Sequence, residues 1–225
     1  MSSLHDDLKD EILTLLGSSV VGSIRFIAAG IKVGGTFYSD LIGPITAGVL
    51  PIKIDPSLPP EIPGQYIARN AADAPNTLKI RDYPPFPAPL VVHELTHAAI
   101  DFLDLQKHMG RPRRDGNTFT TRGLHRTENE GIAYIAECLY CRLTHKHYSQ
   151  HTPEQLARLP RVRHLGRVAD AIAGRILASG VKFYHVTEDE IRWMRNAVGQ
   201  HPKYREHRDE SAPSDGFRME FELEE

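Results

Sequence analysis

The chain has 225 residues, with 27 Lys and Arg against 29 Asp and Glu, and a net charge of −2. That length can bury a substantial core, and one domain or a compact two-lobed unit is expected. The near-balanced charge excludes a general affinity for nucleic acid or anionic membranes.

The first residues, Met1 to Asp7, are acidic and lack a basic leader region, so no ordinary signal peptide is expected and the default location is cytoplasmic. Export by a route that reads no cleavable signal stays open. Leu4–Leu16 has helical periodicity, with Gly17 as its stop. Val20 to Leu50 is apolar and glycine-rich, but Arg25, Lys32 and Asp40 interrupt it. No run of about 18 uncharged apolar residues remains, so stable membrane insertion is not expected. Packed core is the plain reading and a membrane-interacting hairpin the alternative; helix and strand are not distinguished there. Residues 1–50 are accordingly read as an N-terminal helical and apolar segment. Pro51 to Pro63 is a proline-punctuated connector opening the main unit, 51–210. Gln65–Arg69 and Asn76–Arg81 alternate polar and apolar residues and read as strands.

Pro84, Pro85, Pro87 and Pro89 hold the next segment out of helix, and a largely apolar helix of roughly Ala88 to Lys107 then follows. It contains His93-Glu94-Leu95-Thr96-His97, an H-E-x-x-H sequence. With 12 His and 15 Glu in the chain, chance alone supplies about 0.04 such matches, so its place inside a helix must carry the reading. Residues i and i+4 share a helix face, so His93 and His97 can present two imidazoles to one ion. Glu94, about 100° round the helix, can reach a zinc-bound water as its general base. Leu95, Ala98, Ala99, Ile100, Phe102 and Leu103 make the helix largely buried, and buried histidines need partners.

Catalytic zinc requires a third protein ligand. A metzincin would need Gly at 100 and His at 103; Ile100 and Leu103 exclude it. Asp101 lies one turn beyond His97 and suits a supporting role, such as accepting from an imidazole N–H. The other candidates lie on the next helix, Thr127 to Thr144, where Thr127 and Glu130 fit a capping box. Glu130, Ala133, Tyr134 and Glu137 share one face there, and small residues such as Gly131 and Ala133 allow close approach of a neighbouring helix.

At these residues the chain resembles the gluzincins, the thermolysin-like class of zinc peptidases, through His93-Glu94-x-x-His97 and Asn129-Glu130-Gly131-Ile132-Ala133. The likeness spans about residues 90–141. It implies an α+β, predominantly α, zincin-like domain with a small sheet before the active-site helix. It also implies Zn²⁺ on His93, His97 and Glu130, with Glu94 as the base. Glu137 is the rival third ligand, while Glu128 lies in the cap. The acidic supporting residue four positions after such a ligand is Tyr134 here, leaving Asp101 or Glu137 as substitutes. In zincins an edge strand pairs with extended substrate, and Thr77–Arg81 is the candidate.

Between the metal helices, Gly110 to Asn117 reads as an inserted loop. Arg111, Arg113 and Arg114, with Arg122 and Arg126, read as a solvated surface; the functional alternative is an acidic substrate group near the cleft. Cys138 and Cys141 lie mid-helix without a second pair, and two buried reduced thiols are expected. Pro153–Leu159, Arg161–Ser179 and Thr187–Val198 read as helices, and 211–225 as an acidic, flexible tail. Tyr134, His164, Tyr184 and His185 are possible oxyanion donors.

The expected function is zinc-dependent peptide-bond hydrolysis on a peptide or protein substrate. A non-catalytic protein stapled by zinc and a zinc hydrolase of a non-peptide amide are the alternatives.

Overall fold

The structure is a computed structural model that describes residues 3–68, 76–108, 114–115, 118–145, 160–201, 204 and 211–213. It is mixed α+β, with long helices in the second half and three small sheets. Helix α1 (Leu4–Leu16) starts at a capping box in which Ser3 and Asp6 exchange hydrogen bonds, and Gly17 ends it. The ambiguous apolar segment resolves into short pieces. These are helix α2 (Ser19–Gly22), strands β1 (Phe26–Ala28) and β2 (Ile31–Val33), a 3-10 turn at Ser39–Leu41, and helix α3 (Ile42–Thr46). The β1–β2 turn has positive φ at Ala29 and Gly30, the geometry that matches strand twist in a two-residue hairpin.

Strands β3 (Ile52–Ile54), β4 (Gly64–Ile67) and β5 (Thr77–Ile80) form the sheet that precedes the long helix α4 (Ala88–His108). The strand order is β3-β5-β4, with β5 parallel to β3 and antiparallel to β4. This corrects the expectation for Thr77–Arg81: both its edges are occupied, and the strand lying along α4 is β4. Gly64 makes that approach possible, since a Cβ there would lie 2.7 Å from Leu90 Cδ2.

The interval read as a loop, Gly110 to Asn117, contains strand β6 (Arg114–Asp115), which pairs antiparallel with β7 (Thr118–His125) just beyond it. Arg111 and Arg113 lie outside the described residues. Helix α5 (Arg126–Leu143) follows directly. Its capping box joins His125 and Glu128, with the His125 N–H donating to Glu128 Oε2 at 2.9 Å. The cap therefore differs from the expected Thr127–Glu130 pair, and Glu130 is released from capping. Helix α6 (Pro160–Ser179), strand β8 (Tyr184–His185), helix α7 (Glu188–Gln200) and strand β9 (Ser211–Pro213) complete the chain. The Pro153–Leu159 helix lies outside the described residues, as does the tail beyond Pro213. Cys138 and Cys141 are buried free thiols.

Helix α5 is the hub, packing on α4, α6 and α7. One buried cluster runs from Leu8 and Ile12 of α1 through Leu95 and Ala99 of α4 to Ile135 and Leu139 of α5 and Ile172 of α6. Each of these leucines and isoleucines contributes about 1.5–3 kcal/mol when withdrawn from water. The parallel pairing of β1 with β8 ties the N-terminal segment to the C-terminal half. The close approach at Gly131 is toward α7, where a Cβ would meet Met194 Cβ at 3.3 Å. Among the described residues no helix is long and apolar enough to cross a membrane.

Candidate metal centre

Helices α4 and α5 pack so that His93, His97 and Glu130 converge. His93 Nε2 and His97 Nε2 are 3.3 Å apart, and Glu130 Oε2 lies 3.5 Å from the first and 3.6 Å from the second. Zinc bonds of about 2.0–2.1 Å at tetrahedral angles put neighbouring donors about 3.3–3.4 Å apart, close to this triangle. The separations to Glu130 are too long for good hydrogen bonds. Glu130 Oε2 is buried without a hydrogen-bond partner, which is costly for a carboxylate oxygen unless a cation sits before it.

The other ring nitrogens are engaged. His93 Nδ1 is 3.1 Å from Glu137 Oε2, and His97 Nδ1 is 3.1 Å from Asn129 Oδ1. Both partners accept from Nδ1–H, the tautomer that turns each Nε2 lone pair toward Glu130. Glu137 thus supports His93 rather than joining the triangle. Asp101 does not support a histidine: its Oδ2 accepts from the Tyr66 hydroxyl at 2.5 Å.

Charge is concentrated and buried here. Burial opposes a charged imidazole at His93, but Glu130, Glu137 and Glu94 outweigh it, and its pKa is raised to about 10. Burial likewise pushes Glu130 up, yet His97 and His93 prevail and hold it well below the usual carboxylate range. A cation bound at His93 would have to displace the proton that these carboxylates favour there.

Glu94 lies beside the triangle, only 7 % exposed, and its Oε2 accepts the Tyr66 backbone N–H of β4 at 2.7 Å. It is fixed by the sheet and makes no ion pair among the described residues. Thr96, within the same motif, is anchored through its hydroxyl to Val92 O at 2.7 Å and to the Tyr38 hydroxyl at 2.9 Å.

Of the four residues read as oxyanion donors, Tyr134 is at the centre, its ring edge-on to His93 with centroids 4.6 Å apart. Tyr184 instead hydrogen-bonds Glu190 at the start of α7, and His185 is exposed in β8. The side chain of His164 is outside the described residues. Sequence reasoning missed two residues. Tyr66 supplies the N–H that holds Glu94. Tyr204, 2 % exposed, reaches the centre from beyond α7 and hydrogen-bonds both Tyr134 and the Glu130 carboxylate. Burial, then the Glu130 charge, pushes the Tyr204 hydroxyl well above its ordinary range, so it stays a donor. No local spacing around Tyr66 or Tyr204 marks either one. Compared with known proteins, the chain matches no family model, no characterised protein and no solved structure, so the geometry alone carries the assignment.

Proposed function

We infer that the protein is a zinc metallopeptidase of gluzincin type, with His93, His97 and Glu130 holding the metal and Glu94 as the general base. One observation carries the reading: two imidazole nitrogens and an otherwise unpartnered buried carboxylate oxygen converge at the spacing of a tetrahedral zinc site. The neutral nitrogens with one carboxylate are the donor set that suits zinc. The small sheet before α4, with β4 alongside the motif helix, agrees with a zincin-like arrangement.

Zinc bound at such a site polarises a carbonyl and acidifies water. The remaining work falls to the chain. Glu94, held by the Tyr66 N–H, takes the proton of the attacking water and passes it to the leaving amine. Glu137 and Asn129 keep the two imidazoles in the required tautomer. Tyr134, beside His93, is placed to donate toward developing negative charge. A zinc staple between α4 and α5 would use the same three ligands, but it has no use for a buried carboxylate fixed beside them.

The test is metal analysis combined with hydrolysis of an unstructured protein such as casein. Purified protein should carry about one zinc per chain, tightly held by three converging ligands. A strong chelator should abolish cleavage and added zinc should restore it. Stoichiometric zinc without cleavage of any peptide or non-peptide amide would favour the staple. No zinc binding would reject the assignment.

Tyr204 gives a second check that needs no substrate. Tyr204→Phe keeps the ring and removes the hydroxyl that contacts Glu130. Zinc affinity should fall about 10- to 100-fold, the range for partners that hold a ligand in place. Unchanged affinity in a competitive zinc titration would detach Tyr204 from the centre.

A further inference from the structure

Helices α6 and α7 pack on α5 and turn one side of each to the core, with Leu165 and Ala169 on the first and Met194 and Val198 on the second. Their other sides leave an open groove of about 430 Å³, lined by Arg167, Val168, Ala171, Arg175, Trp193 and Gln200 among others. Trp193, the chain's single tryptophan, is 47 % exposed in it. The Arg175 guanidinium stands 5.3 Å from the centre of the indole ring, and its Nη1 pairs with Glu190 Oε1 at 2.8 Å. These contacts hold the indole in place before any partner arrives, which lowers the ordering cost of association. Tryptophan and arginine are the side chains that most often anchor protein interfaces.

The two ends of the groove differ in charge. The helices run antiparallel, because Arg175 near the end of α6 meets Glu190 in the first turn of α7. Asp189 lies one turn before Trp193 on the same face of α7 and marks that end. Among the described residues its carboxylate pairs only with Arg192, at 3.2 Å, and an ion pair so exposed has little net worth. Glu188, Asp189 and Glu190 outnumber Arg175 and Arg192 there. Arg167 lies about 12 Å back along α6 from Arg175 and marks the other end, where Gln200 faces it. Arg167 is exposed, and no side chain pairs with it among the described residues.

We propose that this groove is the contact surface of a symmetric homodimer, in which α7 of each copy lies over α6 of the other. A two-fold axis through the middle of the groove, near Ala171, exchanges its ends. Asp189 of each copy then meets Arg167 of the other, and each indole covers Val168 and Ala171 of the other. Ala171 is small and exposed, so the helices can approach closely at the axis. An isologous contact has to complement itself, residue i meeting j while j meets i, and opposite charges at the two ends of one groove satisfy that requirement. A uniformly acidic partner would match Arg167 but oppose Glu188 and Asp189. A uniformly basic one would oppose Arg167.

Sedimentation equilibrium tests the pairing. Wild-type protein at tens of micromolar should show twice the mass of one chain. Trp193→Ser, Arg167→Asp and Asp189→Arg should each fall to the mass of one chain, with helix content by circular dichroism unchanged. An equimolar mixture of Arg167→Asp with Asp189→Arg should regain the doubled mass, because the reversed charges again face their opposites at both ends. Were Trp193→Ser to lose helix, the two charge variants and their mixture would decide alone. Wild type at the mass of one chain would overturn the proposal, as would a dimer that survives both charge reversals. A mixture that stays monomeric would also overturn it.

Discussion

Glu94→Gln should lower hydrolysis by about 10²- to 10⁴-fold while leaving zinc content and folding unchanged. The reasoning starts from what Glu94 touches. Its Oε2 accepts the Tyr66 N–H at 2.7 Å, and it makes no ion pair among the described residues. A glutamine can keep that contact by presenting its amide oxygen to the same N–H, so the sheet and α4 stay in place. It cannot take a proton from water, because an amide has no basic oxygen at neutral pH. The loss should therefore appear in kcat, with KM little changed. Two outcomes would count against this role. Activity equal to wild type rejects Glu94 as the base. Loss of zinc from the variant would mean that Glu94 belongs to the ligand set.

What was legible in the sequence follows the range of the interactions concerned. His93 and His97 are four residues apart on one helix, and helix geometry alone puts them on one face. Their convergence with Glu130 crosses two helices, and the Asn-Glu context pointed to it where spacing could not. Asn129, the first residue of that context, accepts from His97 Nδ1. The choice between Asp101 and Glu137 as supporting acid needed the crossing of α4 and α5. That crossing puts Glu137 against His93 and turns Asp101 toward Tyr66. Tyr66 reaches Glu94 across 28 residues, and Tyr204 arrives from beyond α7. Neither pairing leaves a periodic trace.

The misplaced elements have equally physical causes. Strands β1 and β2 are three residues each, too short to display alternation within an apolar stretch. The central position of β5 depends on parallel pairing with β3, and a parallel partner cannot be read from a hairpin turn. The α5 cap uses His125, which is outside the usual set of capping residues, so Thr127 looked the better start. That last difference bears on the site. Because Glu128 closes the cap, Glu130 is free to point its Oε2 at the two imidazoles.

The largest effect on metal binding is expected at Glu130 rather than Glu137. Both glutamates lie on one face of α5, two turns and about 10 Å apart along the axis. Only one can bond the same ion as His93 Nε2 and His97 Nε2. Glu130 Oε2 stands within 3.6 Å of both those nitrogens, whereas Glu137 Oε2 contacts His93 from the opposite side of the ring, at Nδ1. Removing Glu130 exchanges a charged ligand for water and leaves two buried imidazoles alone with the ion. Structural zinc sites gain about 10–16 kcal/mol from four ligands, so one charged ligand is worth a few kcal/mol. Glu130→Ala should accordingly weaken zinc binding by roughly 100- to 1,000-fold. Glu137→Ala leaves the triangle intact and frees the His93 ring to turn, so a loss of about 10- to 100-fold is expected. Glu137→Gln retains an oxygen to accept from Nδ1–H and should lose less than Glu137→Ala. Competitive titration of zinc across the three variants decides between the roles. If Glu137→Ala lost the metal while Glu130→Ala kept it, Glu137 would be the third ligand, and the ion would have to sit on the Nδ1 side of His93 rather than at the Nε2 triangle.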